Sequence, residues 1–401
     1  MITQKAELTF KHNLKHGRHG WLRLTPAYSI RVVNSILEKH PEIQHVLDPF
    51  SGTGTTGLVC AENGIDCDLL DINPFLVWLA KAKTSNYTSR SLADARSGLA
   101  IILEHALEIP EIDDLWLPPI SHIERWWSAS TRGLLANIYA LIHRQFVTAN
   151  PARDLLLTAF CRLIIESSNA AFNHQSMSFK EKQVSLFEHE ELQMLTDRFG
   201  QIAEEVIVSA EQPIRGSVKV TLADSRSVPT PAMPYDAVIT SPPYPNRMSY
   251  IRELRPYMYW LGYINEAREA AELDWQAIGG TWGSATSRLN QWQPNGIQVA
   301  YSNFAEMIAS IDAQSPLLAN YVHKYFVDIS LHITSVYQVL ASSAKVFYIV
   351  GNSKFYDTLV PVEQIYASLF RSNGFSEVSV EPLRKRNSKK ELVEYIVSAQ
   401  K

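Results

Sequence analysis

Asp48-Pro49-Phe50-Ser51-Gly52-Thr53-Gly54-Thr55-Thr56-Gly57 is the stretch on which the fold turns. Gly52, Gly54 and Gly57 fit a G-x-G-x-x-G spacing, and the flanking residues supply the context that this spacing requires. Residues 45–50 upstream read as a short buried strand. Downstream, residues 58–63 read as helix, Gly64 as its stop, and residues 67–70 as a second apolar strand ending on Asp71. Strand, glycine loop, helix and strand in this order open a doubly wound α/β sheet.

Glycines in such a loop let the backbone pass close against a bound nucleoside. An acid placed like Asp71 accepts hydrogen bonds from ribose hydroxyls. The spacing alone fits NAD as well as S-adenosylmethionine, so it points to a nucleoside cofactor without choosing one. A P-loop is excluded because no Lys-Ser/Thr pair follows the glycines.

Further out, residues 26–39 open on Pro26 and carry Ile30, Val33, Ile36 and Leu37 at helical spacing. The strand–helix alternation stops after residue 74, and the chain to residue 210 is mostly helical by pattern, as at 122–146, 153–170 and 191–208. Trp126-Trp127 falls in this region and reads as core. Strands return at 218–222 and 235–239, with helices at 248–260, 304–310 and 323–340. The chain closes with strand 345–350, helix 362–372 and strands 377–380 and 391–397. The expectation is one Rossmann-like α/β domain built from residues 1–84 and 216–401, interrupted by a large helical insertion at 85–215 that packs on it or reads a target.

Composition sets outer limits. Of 401 residues, 46% are hydrophobic and 19% charged, as in soluble globular chains with ample core. Cys60, Cys67 and Cys161 show neither disulfide nor zinc spacing, so a reducing compartment is expected. The opening MITQKAELTF lacks a secretory pattern and no apolar run reaches about 18 residues, so the expected location is cytoplasmic. His12, His16 and His19 have no companion cysteine or acid cluster, and no metal is expected. A net charge of −4 argues against coating nucleic acid by bulk attraction. Two basic patches stand out nonetheless: Lys5, Lys11, Lys15, Arg18 and Arg23 with Glu7 opposing, and Arg384-Lys385-Arg386 followed by Lys389-Lys390. A solvated face is the plainer reading of either patch alone; a phosphate-facing arm is the functional one.

The chemistry is carried by Ser241-Pro242-Pro243-Tyr244, which leaves the carboxyl end of the strand around residues 235–239, where open α/β sheets bind ligands. The prolines at 242, 243 and 245 fix φ and remove backbone donors. Carbonyl oxygens, the Ser241 hydroxyl and an aromatic face at Tyr244 remain, and these suit a planar ring bearing an amino group. The amine lone pair of a base is delocalised into the ring. Accepting hydrogen bonds from both of its N–H groups draws the nitrogen toward tetrahedral geometry, and stacking fixes the line of attack. A paired base has to be flipped out to reach such a site. Alone the tetrapeptide is a stiff turn; its conjunction with the glycine loop and Asp71 carries the reading.

With these residues the chain resembles the amino-methyltransferases of DNA, particularly the cytosine-N4 enzymes of restriction–modification systems. Residues 48–56 look like their cofactor motif, residues 241–244 like their catalytic motif, and residues 20–28 like the stretch that precedes the loop. The resemblance implies S-adenosylmethionine as cofactor and DNA as partner, with a cognate restriction endonuclease as a further one. It places the methionine portion on Asp48, Phe50, Ser51, Gly52, Gly54 and Thr55, the ribose on Asp71 with Asn73 beside it, and the adenine near Asp224. Ser241 and the adjoining proline carbonyl would take the amine, and Tyr244 would stack on the base. Serine at the first position leans toward cytosine N4 over adenine N6. Arg18, Arg23, Asn246, Arg247, Arg384 and Arg386 are candidate nucleic-acid contacts. Residues 279–283 have the look of a loop over the site. Adenine-N6 methylation, methylation of an RNA base amine, a silent DNA-binding subunit and an NAD-dependent oxidoreductase stay open as alternatives.

Overall fold

The computed structural model describes residues 3, 5–24, 27–171, 178–179, 188–246, 249–280, 284–386 and 391–401. Seven strands form one sheet: β1 (His45–Asp48), β2 (Asp66–Asp71), β3 (Val218–Leu222), β4 (Tyr235–Thr240), β5 (Leu340–Gly351), β6 (Ser376–Lys385) and β7 (Val393–Gln400), in the order β6-β7-β5-β4-β1-β2-β3. The run from β5 to β3 is parallel, and β7 lies antiparallel between β5 and β6. Val46 sits opposite Cys67 on one side and Ala237 on the other.

Alternate residues along these strands enter two different cores, as a pleated strand requires. Leu47, Leu70, Val238, Val346 and Tyr348 pack with Tyr325, Phe326, Tyr366 and Phe370. Val46, Leu69, Ala237, Ile239 and Phe347 pack with Ile30, Val33, Ile36 and Leu37 on the opposite face. Both faces are covered, which is why the strands read as near-continuous apolar runs.

Helix α1 (Ile30–Lys39) starts four residues later than its pattern suggested, because the Ser29 side chain accepts from the Arg31 N–H and caps it there. Helix α2 (Thr55–Glu62) follows the glycine loop, with Gly54 at φ 77° in its capping position. Gly57 serves packing: a Cβ there would meet the Leu69 side chain at 2.6 Å, so glycine lets α2 lie directly on β2.

Helix α3 (Pro74–Lys83) leads into α4 (Ser89–His105), α5 (Ala129–Gln145), α6 (Pro151–Glu166) and α7 (Glu188–Ala210). The expected helix over 122–146 is two pieces, Ile123–Trp126 and α5. Trp127 is extended, its indole N–H donates to the Ile164 carbonyl, and Ser128 caps α5 by accepting from Thr131. Trp126 and Trp127 are core, as their setting suggested. The inserted helices share one apolar cluster with Trp21 and Phe75, and with Met258 and Trp260 of α8 (Tyr250–Trp260). Further helices follow, among them Phe304–Asp312, which lies where its pattern suggested. Helix α9 (Ala267–Gln276) was not foreseen and opens on a Glu266/Glu269 capping box; α10 (Pro316–Val339) starts seven residues before its expected place, at the Ser315 cap; α11 (Val362–Ser372) sits where expected. Among the described residues no helix is long and apolar enough to cross a membrane.

Candidate active site

The carboxyl ends of β1, β2, β3 and β4 open onto a cavity of about 430 Å³, within the range of small-molecule sites. Its wall includes Phe50, Ser51, Gly52 and Thr55 after β1, Asp71 and Asn73 after β2, Asp224 after β3, and Ser241 to Tyr244 after β4. The loop after β1 is held from below. Asp48 is fully buried and accepts from Thr240 Oγ1 at 2.6 Å, from the Phe50 N–H at 3.1 Å and from the Thr56 hydroxyl, which also meets the Tyr28 hydroxyl. Burial pushes its pKa up to about 6 although three donors oppose the rise. Asp48 and Gly54 do not reach the cavity wall. Asp48 braces β1, α2 and β4, and Gly54 serves the turn into α2.

Ser51 does reach the cavity, and its Oγ is buried without a hydrogen-bond partner among the described residues. Asp71 fixes the loop from the side, Oδ2 accepting from the Gly52 N–H at 2.9 Å and Oδ1 from the Asn73 N–H at 2.8 Å. Burial raises its pKa to about 7. Asn73 caps α3 by accepting from the Phe75 N–H at 3.0 Å, so its carbonyl oxygen is already engaged. Asp224 is clamped by Arg226, whose Nη2 donates to Oδ2 at 2.7 Å and Nε to Oδ1 at 3.0 Å. Burial works to raise its pKa, but the Arg226 hydrogen bonds more than offset this and the net shift is downward. Arg226 also binds Asp328 at 3.0 Å, and Lys324 binds Asp328 at 2.6 Å. Phe50 meets His332 edge-on at 4.7 Å, and His332 is held between the Ser225 carbonyl and the Tyr348 hydroxyl. Burial lowers its pKa to about 4, which keeps the ring neutral.

In the tetrapeptide, Ser241 Oγ donates to the Ile349 carbonyl at 3.2 Å. With its proton spent there, the oxygen presents lone pairs. The Pro243 carbonyl takes the Tyr325 hydroxyl at 2.8 Å, whereas the Pro242 carbonyl accepts nothing among the described residues. Tyr244 packs against the backbone of Gly351, and the Arg386 guanidinium lies 5.0 Å from its ring centre. Burial raises the Tyr244 pKa well above its ordinary value, so the phenol stays protonated.

The candidate nucleic-acid contacts divide. Arg18 is buried, and its guanidinium donates to the backbone carbonyls of Lys83, Ser85, Ser209, Ala210 and Gln212. It ties the start of the chain to α3 and α7, which corrects its reading as a phosphate contact. Arg23 is exposed beside the Phe10 ring, and Asn246 lines the cavity. Arg384 is ion-paired with buried Glu394 on the cavity wall, so it is not part of an open basic face. Arg386 donates to the Asn352 carbonyl at 2.7 Å. Arg247, Lys389, Lys390 and residues 281–283 lie outside the described residues; Gly279 accepts from the Tyr321 hydroxyl at 3.2 Å. Sequence reasoning missed Thr240, Tyr325 and Glu394, and named Thr56 only as part of the glycine-loop motif. Of these only Glu394 carried a signal, a lone acid between Val393 and Tyr395 in an apolar strand.

No family model matches the chain. It is 20% identical over 438 aligned positions to the Type II methyltransferase M.BsoBI of Geobacillus stearothermophilus, covering 97% of this chain and 85% of that protein. The Type II methyltransferases M.AvaI of Nostoc sp. and of Anabaena variabilis are each 28% identical over 69 residues, which is 17% of this chain and 14% of theirs. A solved structure, the rRNA methyltransferase aviRa from Streptomyces viridochromogenes, aligns over 97% of this chain and 92% of its own at a TM-score of 0.30 and 10% identity. The chain is thus similar along nearly its whole length to a Type II methyltransferase.

Proposed function

We propose that the chain is a DNA methyltransferase that moves a methyl group from S-adenosylmethionine to the N4 amine of a flipped-out cytosine, in a restriction–modification or related setting. The observation that carries the reading is the meeting of two motifs on one cavity wall. The loop residues Ser51 and Gly52 with Asp71, and the tetrapeptide residues Ser241 and Pro242, line the same cavity. The similarity to Type II methyltransferases supports the class of reaction and of substrate.

The residues present fit the cofactor. Ser51 Oγ is a buried polar atom lacking a partner among the described residues, and Asp71 is a carboxylate already oriented by two backbone donors. When bound, S-adenosylmethionine supplies an electrophilic methyl group on a sulfonium. Phe50, Ser51, Gly52 and Thr55 would hold its methionine portion, Asp71 its ribose, and the region of Asp224 its adenine. Because Arg226 engages both oxygens of Asp224, only the remaining lone pairs of that carboxylate are available to an adenine amine.

The chain's own part is to bind and orient the base. Ser241 Oγ and the Pro242 carbonyl accept the two N–H groups of the amine and aim its lone pair toward the loop after β1. Tyr244, backed by Gly351 and Arg386, fixes the ring plane. Stacking on it contributes about 1–3 kcal/mol toward the few kcal/mol that unpairing costs. The inserted helices or residues 262–316 would read the surrounding sequence. The test is to map modified bases in the genome of a host expressing the chain. N4-methylcytosine at a defined sequence is expected, whereas N6-methyladenine would sink the choice of base and an unmarked genome the choice of DNA.

A further inference from the structure

We infer that Arg384, held by Glu394, reads the O2/N3 edge of the target base and so selects cytosine; this rests on the amine-methylation reading above. Arg384 Nη2 donates to Glu394 Oε1 at 2.8 Å, and its Nε lies 2.6 Å from Oε2. The pair is largely enclosed, the two side chains being 16% and 8% exposed. One edge of the guanidinium is thus docked on the carboxylate. Nη1 and the outer N–H of Nη2 take no acceptor among the described residues, and the side chain forms part of the cavity wall. Nη1 keeps solvent access, so the free edge of this cavity-wall guanidinium can donate to a ligand that accepts.

Charge says which kind. Glu394 already balances the guanidinium, so the pair is net neutral and suits neutral acceptors better than a phosphate or a carboxylate. Position separates it from the cofactor. Arg384 and Glu394 stand at the ends of β6 and β7, and β7 is three strand spacings from β1, about 14 Å at roughly 4.8 Å each. They therefore lie beyond Tyr244, on the side of Ser241 away from the glycine loop. A ring whose amine sits between Ser241 Oγ and the Pro242 carbonyl turns its adjacent edge toward this pair. In cytosine that edge carries two neighbouring acceptors, N3 and O2, which match two N–H donors of one guanidinium. In adenine N1 is followed by a C–H, and one donor is left unmet. Arg386, fixed on Tyr244 and on the Asn352 carbonyl, closes the same end of the cavity.

The test uses duplexes carrying the mapped site, with the target position either cytosine or a 2-aminopyridine base, which keeps the amine and the ring nitrogen but lacks O2. The wild-type chain is compared with Arg384→Met and with Arg384→Met/Glu394→Leu, the double variant leaving no buried carboxylate unpaired. Wild type should lose about 10- to 100-fold in kcat/KM on the analogue, the scale of a bidentate base contact. Both variants should be slow on cytosine by a similar factor and indifferent to the analogue, with S-adenosylmethionine affinity unchanged. A wild type insensitive to O2, a variant that keeps the discrimination, or a variant that loses cofactor affinity overturns the assignment. A wild type that binds S-adenosylmethionine yet methylates neither duplex overturns the reading beneath it, and the assignment with it.

Discussion

Replacing Ser241 by alanine removes one oxygen from the acceptor pair and little else. In the free protein that oxygen donates to the Ile349 carbonyl at 3.2 Å and lies 3.5 Å from the Tyr244 hydroxyl, which leaves a lone pair for an incoming amine. A hydrogen bond to a nitrogen that gains positive charge is of the charged kind, about 1.5–3 kcal/mol. At 1.36 kcal/mol per decade the expected loss is roughly 10- to 150-fold. The charge develops only as the new N–C bond forms, so the loss belongs in kcat, with KM within about twofold of wild type. Ser241→Thr keeps the oxygen and should retain most of the activity. Losing the bond to Ile349 costs about 1 kcal/mol of stability, which urea unfolding reads separately. The assay is transfer of tritiated methyl to a duplex bearing the mapped site. A kcat within twofold of wild type, or a defect confined to KM, would refute the acceptor role.

Arg18→Met strips buried carbonyls of their donor and should destabilise the fold by about 3–5 kcal/mol. DNA affinity of the folded fraction should stay unchanged in a filter-binding assay; a selective loss of affinity would restore Arg18 as a contact. Lys83 is fully buried, its Nζ lacks a partner among the described residues, and burial lowers its pKa to about 7 from 10.5. Between those values the unfolded chain carries the extra proton, so this group makes stability rise with pH across that window, and its penalty is greatest below about 7. Lys83→Met should add about 1–4 kcal/mol at neutral pH and flatten the slope, checked by urea melts from pH 6 to 10. Because burial raises the Asp71 pKa to about 7, a proton competes with the ribose hydroxyls below that pH. S-adenosylmethionine affinity by calorimetry should weaken as pH falls, approaching about tenfold per unit, and a flat profile would remove Asp71 from the site.

Much of the sheet was legible because both of its faces are buried, and runs such as Val46-Leu47 and Val238-Ile239 carry that fact locally. The glycine loop and the tetrapeptide were legible because each is fixed by residues adjacent in sequence. Arg18 was misread because the carbonyls that enclose it come from residues 83–85 and 209–212, and no local pattern foretells that meeting. The bracing contact of Asp48 was hidden for the same reason, since Thr240, far along the chain, donates to it. The basic run at 384–386 read as an open charged face because its partner, Glu394, is brought opposite only by the β6–β7 pairing. Helix α9 escaped notice because the Glu266/Glu269 capping box precedes a short and weakly apolar stretch.

The most direct test of the account is to incubate the purified chain with DNA and S-adenosylmethionine carrying a deuterated methyl group, digest the DNA to nucleosides, and locate the label by mass spectrometry. The label should appear on the N4 nitrogen of deoxycytidine and vanish with Tyr244→Ala. Label on the ring carbon C5, which calls for a thiol nucleophile, would contradict the account, since Cys60, Cys67 and Cys161 are all buried and none lines the cavity. So would a digest with no labelled base at all.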